Sequence, residues 1–170
     1  MIVGILSDSH GKIEAVRAAV WVLRRNGAQR LFHCGDVGGI DVLGEMLETP
    51  TRFVWGNMDR PDGAAYTYCE TVGLPWPVPP VTVEMVGKRI ALCHGHEPFC
   101  RSLIENEQFD YVLFGHTHEP KDTRRGKTRI INPGALQRAP IKTVATLDLP
   151  NDRLTFYEVP SGRVVRLRRS

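Results

Sequence analysis

The chain has 170 residues, of which 42% are hydrophobic and 24% charged, with a net charge of +3. These values exclude an intrinsically disordered chain and fit a soluble globular protein with one core. No apolar run approaches the roughly 20 residues that cross a bilayer, and the N-terminus lacks the basic segment of a signal peptide. We therefore expect a cytoplasmic protein with one domain over residues 1–170, no membrane association, and a basic tail at about 161–170.

The first half of the chain alternates strand and helix signals. Apolar runs predict strands at 2–7, 30–34 and 52–55, and helical spacing of apolar residues predicts helices at 12–25 and 40–47. This order implies a parallel sheet with right-handed crossovers. Residues 62–80 are rich in proline and aromatic residues, which predicts an irregular surface segment that borders a cleft or caps the core.

The second half reads as mainly antiparallel strands with one helix. Hairpins are predicted from 81–86 and 88–93 around Gly87, from 121–125 and 127–131 around Gly126, and from 143–149 and 153–159 around a Pro-Asn-Asp turn. A further strand is expected at 111–114 and a helix at 97–108. The whole suggests an α/β fold of two sheets packed face to face with helices outside.

For the cysteines and for two clusters of basic residues, a structural role is the simplest explanation. The cysteines at positions 34, 69, 93 and 100 form no Cys-x-x-Cys pair, so we expect no disulfide and no chemistry from them. Basic residues cluster at 121–129 and 163–169, which we interpret as a solvated hairpin and a frayed tail. Without interleaved aromatic residues they do not predict nucleic-acid binding. Attraction of an anionic substrate by the first cluster stays open.

Polar side chains follow five of the predicted strands. They are Asp8 and His10, Asp36, Asn57, His94, and His116 with His118. Ligands of open α/β sheets gather at the carboxyl ends of strands, so we expect these groups to share one rim. The i, i+2 spacing within two of the pairs places both side chains on one side if the backbone stays extended. Neighbouring glycines let the backbone turn sharply and approach an ion.

The types of ligand indicate two divalent ions. Two carboxylates, one amide oxygen and four imidazoles are a mixed nitrogen and oxygen set, which favours Mn, with Fe, Zn, Ni or Co as alternatives, over Mg. Two such ions close together can clamp a phosphate and activate a water. Phosphoryl transfer needs mainly this positioning and neutralisation of charge.

The ordered motifs resemble those of the calcineurin-like metallophosphoesterases, and most closely their small prokaryotic phosphodiesterase branch. The motifs are Asp8-Ser9-His10, Gly35-Asp36-Val37, Gly56-Asn57-x-Asp59, His94-Gly95-His96 and Gly115-His116-Thr117-His118, followed by Ile131-Asn132-Pro133-Gly134. The resemblance implies a four-layer α/β/β/α sandwich of two mixed sheets. It also implies a phosphodiesterase of small phosphodiesters, with a two-metal site and a metal-bound hydroxide as the nucleophile.

The resemblance assigns a role to each motif residue. Asp8, His10 and His118 would hold the first ion, Asn57, His94 and His116 the second, and Asp36 would bridge them. Asp59 would position a ligand or its loop. Asp36, Asn57 and His96 are the candidate catalytic residues; His96 is not a ligand by analogy, and a structural hydrogen-bonding role for it stays open.

One position departs from the superfamily pattern. Many members have a histidine after the Gly-Asn pair that assists the leaving group, whereas this chain has Met58. The small phosphodiesterase branch often lacks that histidine, so activity is compatible with Met58. The segment after Asp36 also lacks the Asp-Arg-Gly-like continuation of the Ser/Thr protein phosphatases.

Three other functions compete with the phosphodiesterase. The first is a protein-binding scaffold similar to the retromer scaffold subunit, although the seven intact ligand positions favour an enzyme. The second is a phosphomonoesterase. The third is a nuclease, which would need a basic groove. The physiological substrate and the oligomeric state, including a homo-oligomer, are left open.

Overall fold

The helices and strands alternate along most of the chain in the computed structural model, which describes residues 1–167. In chain order the elements are β1 Ile2–Leu6, α1 Ile13–Arg25, β2 Arg30–His33, α2 Ile40–Gly44, β3 Thr51–Phe53, α3 Gly63–Val72, β4 Val81–Met85, β5 Lys88–Leu92, α4 Phe99–Glu105, β6 Tyr111–Leu113, β7 Lys121–Arg125, β8 Thr128–Asn132, β9 Thr143–Asp148, β10 Arg153–Glu158 and β11 Val164–Val165.

The strands form two mixed sheets. The first has the order β11-β10-β9-β1-β2-β3 and the second the order β4-β5-β6-β8-β7. Strands β1, β2 and β3 are parallel, as predicted, and β9 continues their sheet by antiparallel pairing with β1. The second half is mainly antiparallel, as predicted, and its three predicted hairpins are present. The exceptions are β5, β6 and β8, which pair in parallel. Helix α4 lies between β5 and β6 in the chain, and such a crossover lets two neighbouring strands run the same way.

Three apolar layers hold the sheets and helices together. One lies between the first sheet and the helices around α1, where Val16, Leu23 and Leu31 are fully buried. The second joins the inner faces of the two sheets, and the third lies between the second sheet and α4. This is the expected four-layer α/β/β/α sandwich.

Helix α3 corrects the prediction for residues 62–80. The Asp62 side chain accepts a hydrogen bond from the backbone N–H of Ala65, and Gly73 ends the helix in the left-handed conformation at φ 71°. These two caps are a sequence signal for a helix, which the nearby prolines obscured. The following Trp76 packs against Trp55 and the first apolar layer, so the aromatic residues cap the core.

The C-terminal segment is also more ordered than expected over its described part. Strand β11 pairs antiparallel with β10, with Val164 opposite Tyr157 and Val165 opposite Phe156. Residues 168–170 of the predicted basic tail lie outside the described residues. In the described part of the chain, no helix combines the length and the apolar character needed to cross a membrane.

Candidate metal centre

The loops that follow β1, β2, β5 and β6 are joined by backbone hydrogen bonds at one edge of the sandwich. The N–H of Asp8 donates to the carbonyl of Gly35 at 3.0 Å, and the N–H of Gly115 donates to the carbonyl of His94 at 2.8 Å. Across the two sheets, the N–H of His116 donates to Oδ2 of Asp8 at 3.1 Å. The expected shared rim therefore exists, and both sheets contribute to it.

Five of the predicted ligands have a left-handed backbone. Their φ angles are 54° for Asp8, 46° for His10, 51° for Asp36, 67° for His116 and 59° for His118. The condition of an extended backbone, under which the two side chains of each i, i+2 pair would lie on one side, is therefore not met. Residues other than glycine rarely adopt this conformation, and such positions concentrate at functional sites. The turns that they form bring the ligands together in place of the strand pleat.

The first predicted group consists of Asp8, His10 and His118, whose ligand atoms lie within 4.8 Å of one another. The Nδ1 atom of His118 lies 3.3 Å from the carbonyl oxygen of Arg138, which can only accept, so Nδ1 carries the proton in the neutral ring. The Nε2 lone pair of His118 then faces Oδ1 of Asp8 at 3.1 Å. A metal ion between these two atoms would satisfy both lone pairs.

The second predicted group repeats this arrangement. The Nδ1 atom of His94 donates to the carbonyl of Cys34 at 2.7 Å, which leaves Nε2 as an acceptor. This Nε2 atom lies 3.0 Å from Oδ1 of Asn57, and the same amide oxygen lies 3.1 Å from Nδ1 of His116. The three predicted ligands of the second ion therefore meet around one amide oxygen.

Asp36 lies between the two groups. Its Oδ2 atom is 3.7 Å from Nε2 of His10, and its Oδ1 atom is 3.5 Å from Nε2 of His94. The backbone N–H of Met58 donates to Oδ1 at 2.9 Å and holds the carboxylate in this orientation. A carboxylate that presents one oxygen to each group has the geometry that a bridging ligand needs.

Unpaired buried atoms show that the ligands present fit a metal ion. Oδ1 of Asp8 and Nε2 of His10 are buried and have no hydrogen-bond partner among the described residues. Burying such atoms without a partner is costly. Nitrogen and oxygen ligands lie about 2.0–2.2 Å from a first-row ion, so adjacent ligands of one ion are about 3 Å apart. The contact between His118 and Asp8, at 3.1 Å, and the two contacts of Oδ1 of Asn57, at 3.0 and 3.1 Å, match this value. The two contacts of Asp36 are longer, at 3.5 and 3.7 Å. The ligand roles themselves stay a prediction.

Burial lowers the pKa of His10, and the positive charge of Arg138 lowers it further, while the nearby Asp36 carboxylate opposes the shift. A lowered pKa keeps the imidazole neutral at pH 7. The neutral ring is the form that binds a metal ion.

Asp59 ties the loop after β2 to the loop after β3. Its carboxylate accepts hydrogen bonds from the backbone N–H groups of Val37 at 3.0 Å, Gly38 at 2.8 Å and Gly56 at 2.7 Å. It therefore fixes the segments that carry Asp36 and Asn57, as the predicted positioning role requires.

Glu97 holds the loop after β5 in the way that Asp59 holds the loops after β2 and β3. The sequence analysis did not identify this residue. Its carboxylate accepts from the N–H of His94 at 3.0 Å and from the N–H of Gly95 at 2.7 Å. The signal was the acid three residues after His94, a spacing that lets a side chain close a turn.

His33 was also missed. It is fully buried at the end of β2, and its Nε2 atom forms a 2.8 Å hydrogen bond with Oγ of Ser9, which also donates to the carbonyl of Val37. Burial lowers the pKa of His33 to about 3. A neutral His33 thus supports the loop between Asp8 and His10.

Two glycines allow the loops to approach one another. A Cβ atom at position 56 would overlap the Asp36 carboxylate, and one at position 115 would overlap the Ser7 hydroxyl and the Asp8 carboxylate. Neither position has room for a methyl group, so glycine is what lets the loops come this close; the predicted approach of the backbone to an ion stays a prediction.

His96 and Met58 lie at the rim beside the second group. The ring centroid of His96 is 5.4 Å from that of His94, and its Nδ1 atom is 3.5 Å from the carboxylate of Glu97. The side chain of Met58 is solvent-exposed. His96 thus has both a carboxylate neighbour and access to solvent, and its candidate catalytic role stays a prediction.

The prediction that the cysteines form no disulfide is wrong. Cys93 and Cys100 form a disulfide that closes a loop containing His94 and Glu97, while Cys34 and Cys69 are free and buried. The bond is possible because α4 folds back on β5 and brings the two Cα atoms to 6.4 Å. Their spacing in sequence did not indicate this contact.

The basic residues at 121–129 were interpreted as a solvated hairpin, but not all of them face solvent. Arg129 is buried and binds the carboxylates of Asp122 and Asp152, which raise its pKa. Arg124 pairs with Asp152 as well, and Arg125 with Glu105. These acids neutralise much of the charge, which weakens the interpretation of this cluster as an attractor of anionic substrate.

The carboxylate, amide and imidazole groups that converge at the edge of this α/β/β/α sandwich are the ligand types that divalent metal ions take in hydrolases. A family model described as the calcineurin-like phosphoesterase superfamily domain matches residues 1–152. The chain belongs to this superfamily.

Similar proteins support its enzyme class. Phosphodiesterase MJ0936 of Methanocaldococcus jannaschii is 25% identical over 138 residues, covering 79% of this chain and 83% of the relative. The structure of the phosphoesterase YfcE of Escherichia coli has a TM-score of 0.75 at 25% identity, covering 98% of this chain and 97% of that one. These relatives confirm the recognition of the small prokaryotic phosphodiesterase branch and the expectation of a metallophosphoesterase.

The similar structures also include one of Vps29, a name that does not describe an enzyme. A Vps29 mutant from Entamoeba histolytica has a TM-score of 0.71 at 20% identity, covering 97% of this chain and 96% of that one. At this identity the likeness is one of fold alone, so it fits the scaffold alternative only as a structural relationship.

Proposed function

We propose that the protein is a metal-dependent phosphodiesterase that hydrolyses small phosphodiesters at a two-metal site. The observation that carries the proposal is the pair of facing acceptors in each group, Asp8 with His118 and Asn57 with His94. A metal ion between the members of each pair would satisfy both, and the carboxylate of Asp36 faces both groups.

Two divalent ions held by these ligands would neutralise the charge of a phosphate group and make a water acidic enough to act as the nucleophile. The four imidazoles favour Mn, Fe, Zn, Ni or Co, with Mn as our first choice. Asp36 orients the two groups of ligands, Asp59 and Glu97 hold their loops, and His96 has access to solvent at the rim.

A diester substrate is supported by the open rim on the side of Met58 and by the relative named a phosphodiesterase. Of the two ester groups of such a substrate, one departs and the other must be accommodated. An exposed site meets this requirement without a basic groove, so we propose small diesters over nucleic acid.

The test compares hydrolysis of bis(p-nitrophenyl) phosphate with that of p-nitrophenyl phosphate. Protein stripped by a chelator should be inactive, and Mn or Ni should restore diester hydrolysis better than Mg does. Full activity in the metal-free protein would contradict the proposal. A strong preference for the monoester would indicate a phosphomonoesterase, and no hydrolysis with any metal would favour the scaffold.

A further inference from the structure

A cavity of about 290 Å³ lies at the end of the sandwich away from the predicted metal centre. It opens between β3 and β4, each of which is the outer strand of its sheet. Arg30 and Thr51 border it at the amino ends of β2 and β3, whereas the predicted ligands follow the carboxyl ends of strands. Residues 83–85 of β4 lie at the same end, because β4 runs antiparallel to β5. The cavity is therefore separate from the centre.

The pleat of the first sheet places two arginines at this cavity. Phe32 belongs to the apolar layer between the sheets, and Arg30 lies two residues before it on β2, so both side chains start from the same face. Arg52 is the partner of Phe32 in the register of β2 with β3 and shares that face. Both arginines line the cavity and are exposed. Two guanidinium groups thus stand where the layer between the sheets opens to solvent.

No carboxylate neutralises these two charges. Among residues 1–167 neither Arg30 nor Arg52 forms an ion pair, and Glu84, which also lines the cavity, pairs with neither of them. Nη1 of Arg52 donates to the carbonyl of Thr51 at 3.3 Å, which leaves the other donors of this guanidinium for a ligand. Two like charges on neighbouring strands repel each other, so an anion between them is favoured.

The other walls of the cavity are apolar. Val83 and Met85 alternate on β4, pack against the layer between the sheets and are only half-buried. Phe32, across from them on β2, is 1% exposed and closes the cavity towards the core. Apolar walls with a few polar groups at one side are the usual composition of a small-molecule site. The lining fits a ligand with a charged head and a hydrocarbon body.

Protection of the sheet edges is the competing explanation for the two arginines. Charged residues that point inwards are one device by which proteins keep an outer strand from pairing with another chain. That role needs charge at the edge but no cavity with apolar walls, and it predicts no affinity for an amphiphilic anion.

We propose that this cavity binds a small amphiphilic anion, whose carboxylate or phosphate head lies between Arg30 and Arg52 and whose hydrocarbon body covers Val83 and Met85. A planar guanidinium donates two parallel hydrogen bonds to either kind of head and stays charged at any working pH. The hydrocarbon body adds affinity because it and the half-buried walls leave water together. The site lies apart from the metal centre, so the proposal does not depend on the phosphodiesterase activity.

The four methionines of the chain provide reporters for the test. Met1 and Met85 line the cavity, Met58 lies at the rim of the metal centre, and Met46 is buried in the first apolar layer. The protein is loaded with Zn and its methionine methyl groups are labelled with ¹³C for NMR. Octanoate and octyl phosphate, each kept below its micelle concentration, should shift the signals of Met1 and Met85 and leave that of Met46 in place. The two anions distinguish a carboxylate from a phosphate head, and any shift of Met58 reports binding at the metals.

Arginine variants test the contribution of the charge. Arg30→Met and Arg52→Met should each weaken binding of the preferred anion on the order of 10-fold, as expected for loss of a hydrogen bond to a charged group. The corresponding lysine variants should recover part of the loss. The matched control is Arg101→Met, an 85% exposed arginine on α4 at the outer face of the second sheet, which should match the parent. Octanol and octyltrimethylammonium, which lack the negative head, should bind at least 10-fold more weakly than the anion.

Four results would overturn the proposal. They are unmoved signals of Met1 and Met85 with both anions, a shift of Met58 alone, octanol binding as tightly as octanoate, and both arginine-to-methionine variants remaining within twofold of the parent. The first result would leave edge protection as the role of the arginines. Val83→Trp fills the cavity and keeps both arginines, so it should also weaken binding; it decides the outcome if an arginine variant does not fold.

Discussion

The Nε2 atom of His94 lies 3.0 Å from Oδ1 of Asn57, although both atoms are acceptors once His94 has donated its Nδ1 proton to Cys34. A metal ion bound to both atoms would make this contact favourable. The relationship makes Asn57 and His94 a direct probe of the second predicted ion.

Replacing Asn57 with leucine should remove one ion and leave the other. The bound Mn should fall from two ions to about one per chain, because Asp8, His10 and His118 remain intact. Asp36→Asn should lower the metal content further, since that carboxylate faces both groups. Metal analysis after dialysis checks both results, with Asn106→Leu at the end of α4 as control. Two tightly bound ions in Asn57→Leu would contradict the assignment.

Replacing Met58 with histidine should reduce the dependence of the rate on the leaving group. A well-placed proton donor contributes about 10²–10⁴-fold to such a step, and the benefit is largest for poor leaving groups. The side chain of Met58 is 53% exposed, so the substitution should be tolerated. Rates over a series of nitrophenyl and alkyl esters provide the measurement, and Met58→Leu is the control. Equal slopes at full metal occupancy would show that the missing histidine does not limit the reaction.

Gly56→Ala should disrupt the centre without touching any ligand. The added methyl group would overlap the carboxylate and backbone of Asp36, so we expect a loss of metal and a destabilisation of about 1–3 kcal/mol. Gly63→Ala is the control, because a Cβ atom at that position in α3 meets no atom within 4 Å. Urea unfolding and metal analysis test the prediction, and it fails if the two variants behave alike.

Buried His33 should make the stability depend on pH. Its pKa is about 3 in the folded protein and ordinarily 6.5, so the unfolded chain binds the proton first as the pH falls. The stability conferred by neutral His33 is therefore complete above pH 6.5 and is lost towards pH 3. The loss should be about 1.4 kcal/mol per pH unit. Urea unfolding of the metal-free protein between pH 7.5 and 5 measures it. His33→Gln should show a shallower slope by about one proton, and an unchanged slope would be evidence against this role.

The disulfide between Cys93 and Cys100 predicts two free thiols per chain, those of Cys34 and Cys69. Thiol titration of the denatured, unreduced protein should count two, and four after reduction. Reduction should lower the free energy of unfolding by roughly 2 kcal/mol, since the bond closes a short loop. Cys69→Ser should leave that difference unchanged. Four thiols without reductant would refute the pairing.

Much of the fold could be predicted from residues that act locally. The buried stripe of α1 and the apolar runs of β1, β2 and β3 depend on residue spacing alone. Helix α3 was missed although Asp62 and Gly73 marked its ends. The parallel pairing of β5 with β6 was missed although a helix was predicted between them, and that of β6 with β8 depends on the order of the strands in the sheet.

For the centre, the sequence by itself determined which residues are candidate metal ligands and that they follow strand ends, because both are properties of residue type and order. Only the tertiary structure decided how they meet. Contacts between segments far apart in the chain produce the left-handed turns at Asp8 and His118. Such contacts also let Asp59 accept hydrogen bonds from three N–H groups, and they place the Arg138 carbonyl beside His118. The same holds for the burial that keeps His33 neutral, since a low dielectric forms only when the layers pack together.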